Sequence, residues 1–271
     1  GASNFLGTKN PIEKIREIAY SSGYAQPNGE KKSYLLIDGA QLVPNIFIDV
    51  QELDIDFLVW SFHKMLAPFG VGALYAREEL LKEMRPFLYG GDMIAEGKVS
   101  PEKVEYNALP WKFTAGTPNI LGTILSAQAI RLLIDFSLNP GKYKYFMTDK
   151  KLERLDVEKA MNNIEDHEKN LIAEALKILG EIPSIKIYGP KNPENRAALV
   201  AFTCGDKSPF EIAEGLNKLG VESRAGCHCA TLAHHYYQLN PPASCRISFY
   251  MYNNLKDVRK ACLAVKKVCS L

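Results

Sequence analysis

The sequence predicts an α/β protein, and three observations carry the prediction. Short apolar runs at residues 34–38, 55–60 and 71–76 lack strict alternation, as strands covered on both faces do. Helical periodicity then takes over at 121–136 and 157–179. The C-terminal part returns to alternating strand and helix signals, which reads as a smaller α+β domain.

The elements follow in order. A first helix is entered at Asn10 as N-cap with Pro11 at N1, and Ile12, Ile15 and Ala19 recur at helical spacing. The three strand runs come next, then the helix at 121–136 that leads out of the sheet layer. Residues 139–155 are rich in Lys and Tyr and have no periodicity, so they read as an insertion or hinge. The helix at 157–179 is closed by Gly180. Strands at 185–188 and 198–203 precede a helix at 209–219, where Ser208, Pro209 and Glu211 supply the N-cap, N1 and N3 of a capping box and Gly220 the stop. A strand at 245–250 and a helix from Leu255 onward finish the chain. The expected division is 1–137 for a larger domain, 138–156 for the insertion or hinge, and 157–271 for the small domain.

Composition narrows the function classes. The chain has 271 residues, 46% of them hydrophobic, and its net charge of +2 is the residue of 33 basic and 31 acidic side chains. Such a balance implies no general attraction for nucleic acid or an anionic membrane surface. No uninterrupted apolar run reaches the length of about 18 residues needed to span a bilayer, and the first residues lack signal-peptide features, so the expected location is cytoplasmic. Six cysteines, at 204, 227, 229, 245, 262 and 269, crowd into the last quarter. In a reducing compartment they read as thiols, metal ligands or catalysts rather than a disulfide frame.

Several constellations can carry chemistry. Lys64 ends the run Trp60-Ser61-Phe62-His63-Lys64 behind a strand, where an amine can bind an aldehyde as a Schiff base. Asp38-Gly39-Ala40-Gln41 closes the first strand at the end where open sheets place ligands, and it reads equally as a turn cap. A carboxylate for a ring nitrogen and an amine for an aldehyde are the pair that a pyridoxal 5′-phosphate site requires. Ser61, His63 and the Gly116-Thr117-Pro118-Asn119 turn offer phosphate donors. In Arg224-Ala225-Gly226-Cys227-His228-Cys229-Ala230 a thiol lies beside positive charge and can act as a nucleophile. Two other readings stay open there: a zinc site from Cys227, His228, Cys229, His234, His235 and Cys245, whose spacing is unlike the usual fingers, and plain packing. Arg246 offers a bidentate fork for a carboxylate, or a structural ion pair.

These residues resemble the cysteine desulfurases and selenocysteine lyases of the class V aminotransferase group, pyridoxal-phosphate enzymes of fold type I. Six pieces carry the resemblance in register: residues 3–7 (Ser-Asn-Phe-Leu-Gly), Asp38 to Gln41, Ser61 to Lys64, Ala115 to Asn119, Arg224 to Cys229, and Arg246 with Met251-Tyr252-Asn253. The resemblance implies a partial large domain with a mostly parallel sheet, followed by the small α+β domain. It implies that Lys64 holds the cofactor and moves a proton, that Asp38 pairs with the ring nitrogen and Gln41 with the ring oxygen, and that Ser61, His63 and Thr117 bind phosphate, Thr117 across a homodimer. Asn4 and Arg246 would hold L-cysteine, Cys229 would take its sulfur as a persulfide, and Arg224 and His228 would stabilise the Cys229 thiolate. The run resembles the branch that serves iron–sulfur assembly of the mobilisation type, with a sulfur-acceptor protein as partner. Cys227 departs from the family, which commonly has histidine there. So does the start of the chain: the phosphate loop and the ring-stacking histidine of the family are not found, and a separate chain or segment is expected to supply that N-terminal half. The alternatives are a selenocysteine lyase or other class V enzyme, and a non-catalytic zinc-binding or scaffold module.

Overall fold

The computed structural model describes residues 1–26, 29–139 and 151–270, so most of the expected insertion at 138–156 lies outside the described residues. The chain divides into two compact units that interleave in sequence. One comprises Gly1–Ile12, Asp38–Ile48 and Ile134–Leu271, and the other Glu13–Ile37 and Asp49–Leu133. The expected division had a single cut near 138–156, because a sequence shows where periodicity lapses but not where the chain leaves a unit and returns.

The second unit holds α1 (Ile12–Ser21) after its first residue, β1 (Leu36–Asp38) up to Ile37, β2 (Phe57–Ser61), β3 (Gly72–Ala76), α2 (Glu78–Glu83), β4 (Ile94–Val99), β5 (Val104–Tyr106) and most of α3 (Ile120–Leu138). Its main sheet has the order β1-β2-β3. β2 and β3 pair antiparallel from Phe57↔Ala76 to Ser61↔Gly72. Antiparallel pairing also joins β4 to β5. The physical reason at β2 and β3 is the short connection, which lets the chain double back but leaves no room for a crossover helix. α3 begins where Asn119 caps it, its side-chain oxygen accepting the Gly122 N–H at 2.9 Å. By length and composition α3 is apolar enough to cross a membrane. Arg131 and Asp135 interrupt it, which is why no continuous apolar run is visible in the sequence.

The first unit is built on a four-stranded antiparallel sheet of order β6-β7-β9-β8: β6 (Ile185–Tyr188), β7 (Leu199–Cys204), β9 (Ser244–Ser248) and β8 (Arg224–Gly226). The helices α4 (Arg154–Gly180), α5 (Pro209–Lys218) and α7 (Leu255–Ser270) supply the partners of its core. Strand alternation sorts β7. Val200, Phe202 and Cys204 join Leu171, Ala175 and Leu179 of α4, Ile212 and Leu216 of α5 and Val258 and Val265 of α7 in one cluster. Ala201 instead meets Phe5 and Tyr188 in a second cluster. That second cluster underlies the short α6 (Thr231–Tyr236), through Ala230, Ala233 and Tyr237.

The expected capping box at α5 is present on both sides: Ser208 Oγ accepts the Phe210 N–H and Glu211 accepts the Ser208 N–H, each at 3.3 Å. Behind β6, Arg196 is buried and gives its guanidinium to the carbonyls of Leu199, Pro190 and Tyr188. Burial without an acid partner brings its pKa down to about 10.

Candidate active site

In the second unit, β2 runs directly into a 3-10 turn, Phe62–Met65, that carries His63 and Lys64. Ser61 stands at the N-cap in extended backbone, and its hydroxyl makes no capping bond. The turn is tied down at both ends: Phe62 N–H donates to Val71 O at 3.1 Å and Ala67 N–H to Phe62 O at 3.2 Å. Trp60 meets Phe62 edge-on at 5.7 Å, and exposed His63 stacks on Phe69 at 5.2 Å. Lys64 is half-buried. Thr117 is exposed two residues before Asn119, in the turn that starts α3.

In the first unit, Asp38 is exposed and its Oδ1 accepts the Ala40 N–H at 2.9 Å. The turn-capping role is thus real, and it uses one of the two carboxylate oxygens. Gln41 is half-buried, and its backbone carbonyl accepts from the Asn45 side-chain amide at 3.0 Å.

The same unit brings together Asn4, Arg224, His228, Cys229 and Arg246. Cys227 O accepts the Ala230 N–H at 2.8 Å, with His228 at φ 52° and Cys229 at φ 57°. Two successive left-handed residues inside an i→i+3 bond make a type I′ turn. Such backbone is costly for residues other than glycine and persists only where its surroundings impose it.

Here the surroundings are visible. His228 is 1% exposed and Ser244 fully buried. His228 Nε2 lies 3.1 Å from Ser244 Oγ, and His234 Nε2 lies 3.0 Å from the same oxygen. His234 Nδ1 is 2.9 Å from Ala230 O. A carbonyl only accepts, so His234 carries its hydrogen on Nδ1. With neutral rings, Ser244 then donates to His234 and accepts from the Nε2–H of His228. Phe5 stacks on His234 with ring centroids 3.8 Å apart. Asn4 closes the other side, its amide donating to His228 O while its own carbonyl accepts from Arg246 Nη1 at 2.7 Å.

The electrostatics follow from this burial. Desolvation, with Arg246 next in weight, brings His228 down to about 4, so the ring is neutral near pH 7. It therefore does not supply the positive charge expected of it beside Cys229, nor is it a surface group: it braces the turn from below. The charge comes from Arg224, whose Nη2 donates to Cys229 Sγ at 3.8 Å, and from Arg246, on which Cys229 acts electrostatically. Arg224 and Arg246 face each other in the β8–β9 register. Burial lowers the pKa of Arg246, and Arg224 adds to the effect. Cys229 itself is exposed at the tip of the turn.

Among the described residues no group of three His, Cys, Asp or Glu is placed to hold a metal ion. Two of the residues in the zinc reading have other work: His234 is in the brace, and Cys245 is a buried core thiol pushed up to about 11. Sequence reasoning missed Ser244 and Phe5. A serine between Ala243 and Cys245 gives no signal, because its role exists only once β9 lies beside the turn.

The aminotransferase class-V family profile matches residues 1–156 and 148–260. A probable cysteine desulfurase of Halobacterium salinarum is 38% identical over 97% of this chain and 54% of its own length. The crystal structure of a cysteine desulfurase from Escherichia coli superposes with a TM-score of 0.78 at 28% identity, covering 99% of this chain and 57% of that one. The apo structure of a cysteine desulfurase from Thermococcus onnurineus gives 0.82 at 27%, covering 99% and 58%. The chain thus spans about half the length of the curated relatives it matches, and it carries part of the pyridoxal-phosphate fold type I expected from the sequence.

Proposed function

The chain belongs to the aminotransferase class-V family, and on that premise we propose that it is part of a pyridoxal-phosphate-dependent cysteine desulfurase that converts L-cysteine to L-alanine and keeps the sulfur on Cys229. The observation that carries the reading is the Cys229 turn: an exposed thiol on strained backbone, braced by buried imidazoles and flanked by Arg224 and Arg246. A thiolate is the nucleophilic form, and neighbouring positive charge favours it.

The residues present fit the cofactor. Lys64 offers an amine for its aldehyde, Asp38 a carboxylate for its ring nitrogen, Gln41 an amide for its ring oxygen, and Ser61, His63 and Thr117 donors for its phosphate. The Ser61 hydroxyl, which makes no capping bond, has donor capacity for that purpose. When bound, pyridoxal phosphate supplies an electron sink for the substrate carbon that loses sulfur.

The chain's own residues do the rest. Arg246 pairs with the substrate carboxylate, and Asn4 sets the position of that guanidinium through its carbonyl. Lys64 takes the proton from the substrate Cα and returns one to the product. Cys229 attacks the substrate sulfur, the carbon–sulfur bond breaks, and the outer sulfur stays on Cys229 as a persulfide. A homodimer, a sulfur-acceptor protein and a segment or chain supplying the other half of the fold are the partners proposed with it. The strongly exposed Phe69, Phe87, Leu88 and Tyr89 support a protein partner for the second unit.

The test assays the chain together with the other half of the fold, measuring alanine and sulfide released from L-cysteine under reducing conditions. Lys64→Ala is expected to abolish the visible absorbance of amine-bound cofactor. Cys229→Ser is expected to keep that absorbance and lose at least about 100-fold in sulfide release, as for removal of an attacking nucleophile. Unchanged absorbance in the first variant, or normal sulfide release in the second, overturns the assignment.

A further inference from the structure

Cys227 has no part in the mechanism above. Yet it shares the Cys229 turn: the Ala230 N–H that closes the turn donates to the Cys227 carbonyl, and only His228 separates the two thiols. The Thr231 hydroxyl first, and then the backbone N–H of Cys229, lower the pKa of the Cys227 thiol. The side chain is half-exposed.

Three of the buried cysteines behave in the opposite way. Cys204, Cys245, Cys262 and Cys269 lie in the core, and burial pushes Cys245 up to about 11 and Cys262 and Cys269 up to about 12. Those are inert thiols. Cys227 is instead a half-exposed thiol in the same turn as the proposed sulfur carrier, one residue from it, and no metal cluster among the described residues claims it.

We propose that Cys227 is a second sulfur-holding site, which takes the outer sulfur from the Cys229 persulfide and so clears Cys229 for another turnover. The inference rests on the reading of Cys229 as the persulfide carrier. The Cys227 thiolate attacks the outer sulfur of Cys229–S–SH. The bond between Cys229 Sγ and that sulfur breaks as the bond to Cys227 Sγ forms, Cys229 leaves as thiolate, and the proton stays on the transferred sulfur. No oxidant is consumed, because the step moves one sulfane sulfur between two thiols. The persulfide extends the reach of Cys229 by one S–S bond of about 2.05 Å. Attack on the inner sulfur would instead close a Cys227–Cys229 disulfide and release sulfide, an outcome that the experiment below separates.

The experiment locates sulfur in the peptide 225–246 by mass spectrometry after alkylation under argon. Two donors are used: L-cysteine on the holoenzyme completed by the other half of the fold, and inorganic polysulfide on the chain alone. With excess cysteine, the expected result is two cyanide-labile sulfurs per polypeptide in the wild type and a two-fold drop to one in Cys227→Ser. With one equivalent of polysulfide, sulfur first found on Cys229 should migrate to Cys227 over time. Sulfur that stays on Cys229 with both donors overturns the proposal, as does a Cys227–Cys229 disulfide with released sulfide. Sulfur on Cys227 from L-cysteine in Cys229→Ser would overturn the carrier reading itself, so the two failures are distinct.

Discussion

Replacing Ser244 by alanine tests whether a buried hydroxyl holds the Cys229 turn. Ser244 Oγ is the common partner of His228 Nε2 and His234 Nε2, at 3.1 and 3.0 Å. The imidazole rings are 5.8 Å apart between centroids, too far to bond each other if the oxygen is removed. Alanine therefore leaves one buried N–H and one buried nitrogen lone pair unmet. An orphaned buried group costs about 1–3 kcal/mol, so the variant should lose about 2–4 kcal/mol in the first unit. At a urea m-value near 3 kcal/mol/M that lowers the midpoint by about 1 M.

Both tryptophans, Trp60 and Trp111, lie in the second unit. The assay is accordingly far-UV circular dichroism in urea, with backbone hydrogen exchange over 224–248 to localise the loss. Ser248→Ala, on an exposed position of the same strand, is the control and should stay within about 0.5 kcal/mol. A Ser244→Ala loss no greater than the control, with unchanged exchange at the turn, would refute the brace.

Three further outcomes follow from the same structure. His228 has its pKa lowered from 6.5 to about 4, so between those values the unfolded chain binds more protons than the folded one, and stability falls as pH drops through that window, by up to about 3 kcal/mol. The wild type minus His228→Gln difference in unfolding free energy, measured at pH 7 and pH 4.5, isolates this contribution from Glu168, whose raised pKa acts with the opposite sign. An unchanged difference would contradict it. Ser208→Ala removes the capping bond at α5 and should cost about 1 kcal/mol by urea unfolding, with no change in the turn at Cys229. Gly189→Ala places a Cβ against the Leu6 carbonyl at φ 89°, and a loss of at least about 2 kcal/mol is expected. Wild-type stability in that variant would show that the Leu6 backbone yields freely.

Local signals were legible wherever a residue's role depends on its chain neighbours. The α5 capping box needs only Ser208, Pro209 and Glu211, and the strand at 185–188 shows the same residues in sequence and structure. β8 gave no signal, since Arg224-Ala225-Gly226 becomes a strand only by pairing with Ser244, Cys245 and Arg246. The β4–β5 hairpin was hidden in the same way: β4 and β5 are defined by pairing with each other, and neither carries a sustained apolar run. His228 shows a related limit. Its sequence position beside Cys229 suggested a source of charge, whereas its neutrality comes from burial and from two arginines that are distant or offset in sequence.

By itself the sequence determined the chemical inventory: the lysine, the carboxylate, the phosphate donors and the thiol between Arg224 and Ala230, together with the family to which their order belongs. The tertiary structure alone decided which nitrogen of His228 meets Ser244, that Asn4 joins His228 to Arg246, and that the chain builds its units from interleaved segments. The reason is physical. Residue types and caps act over a few bonds along the chain, whereas tautomer, protonation and turn strain are set by groups that meet only when β9, α6 and the N-terminal segment pack together.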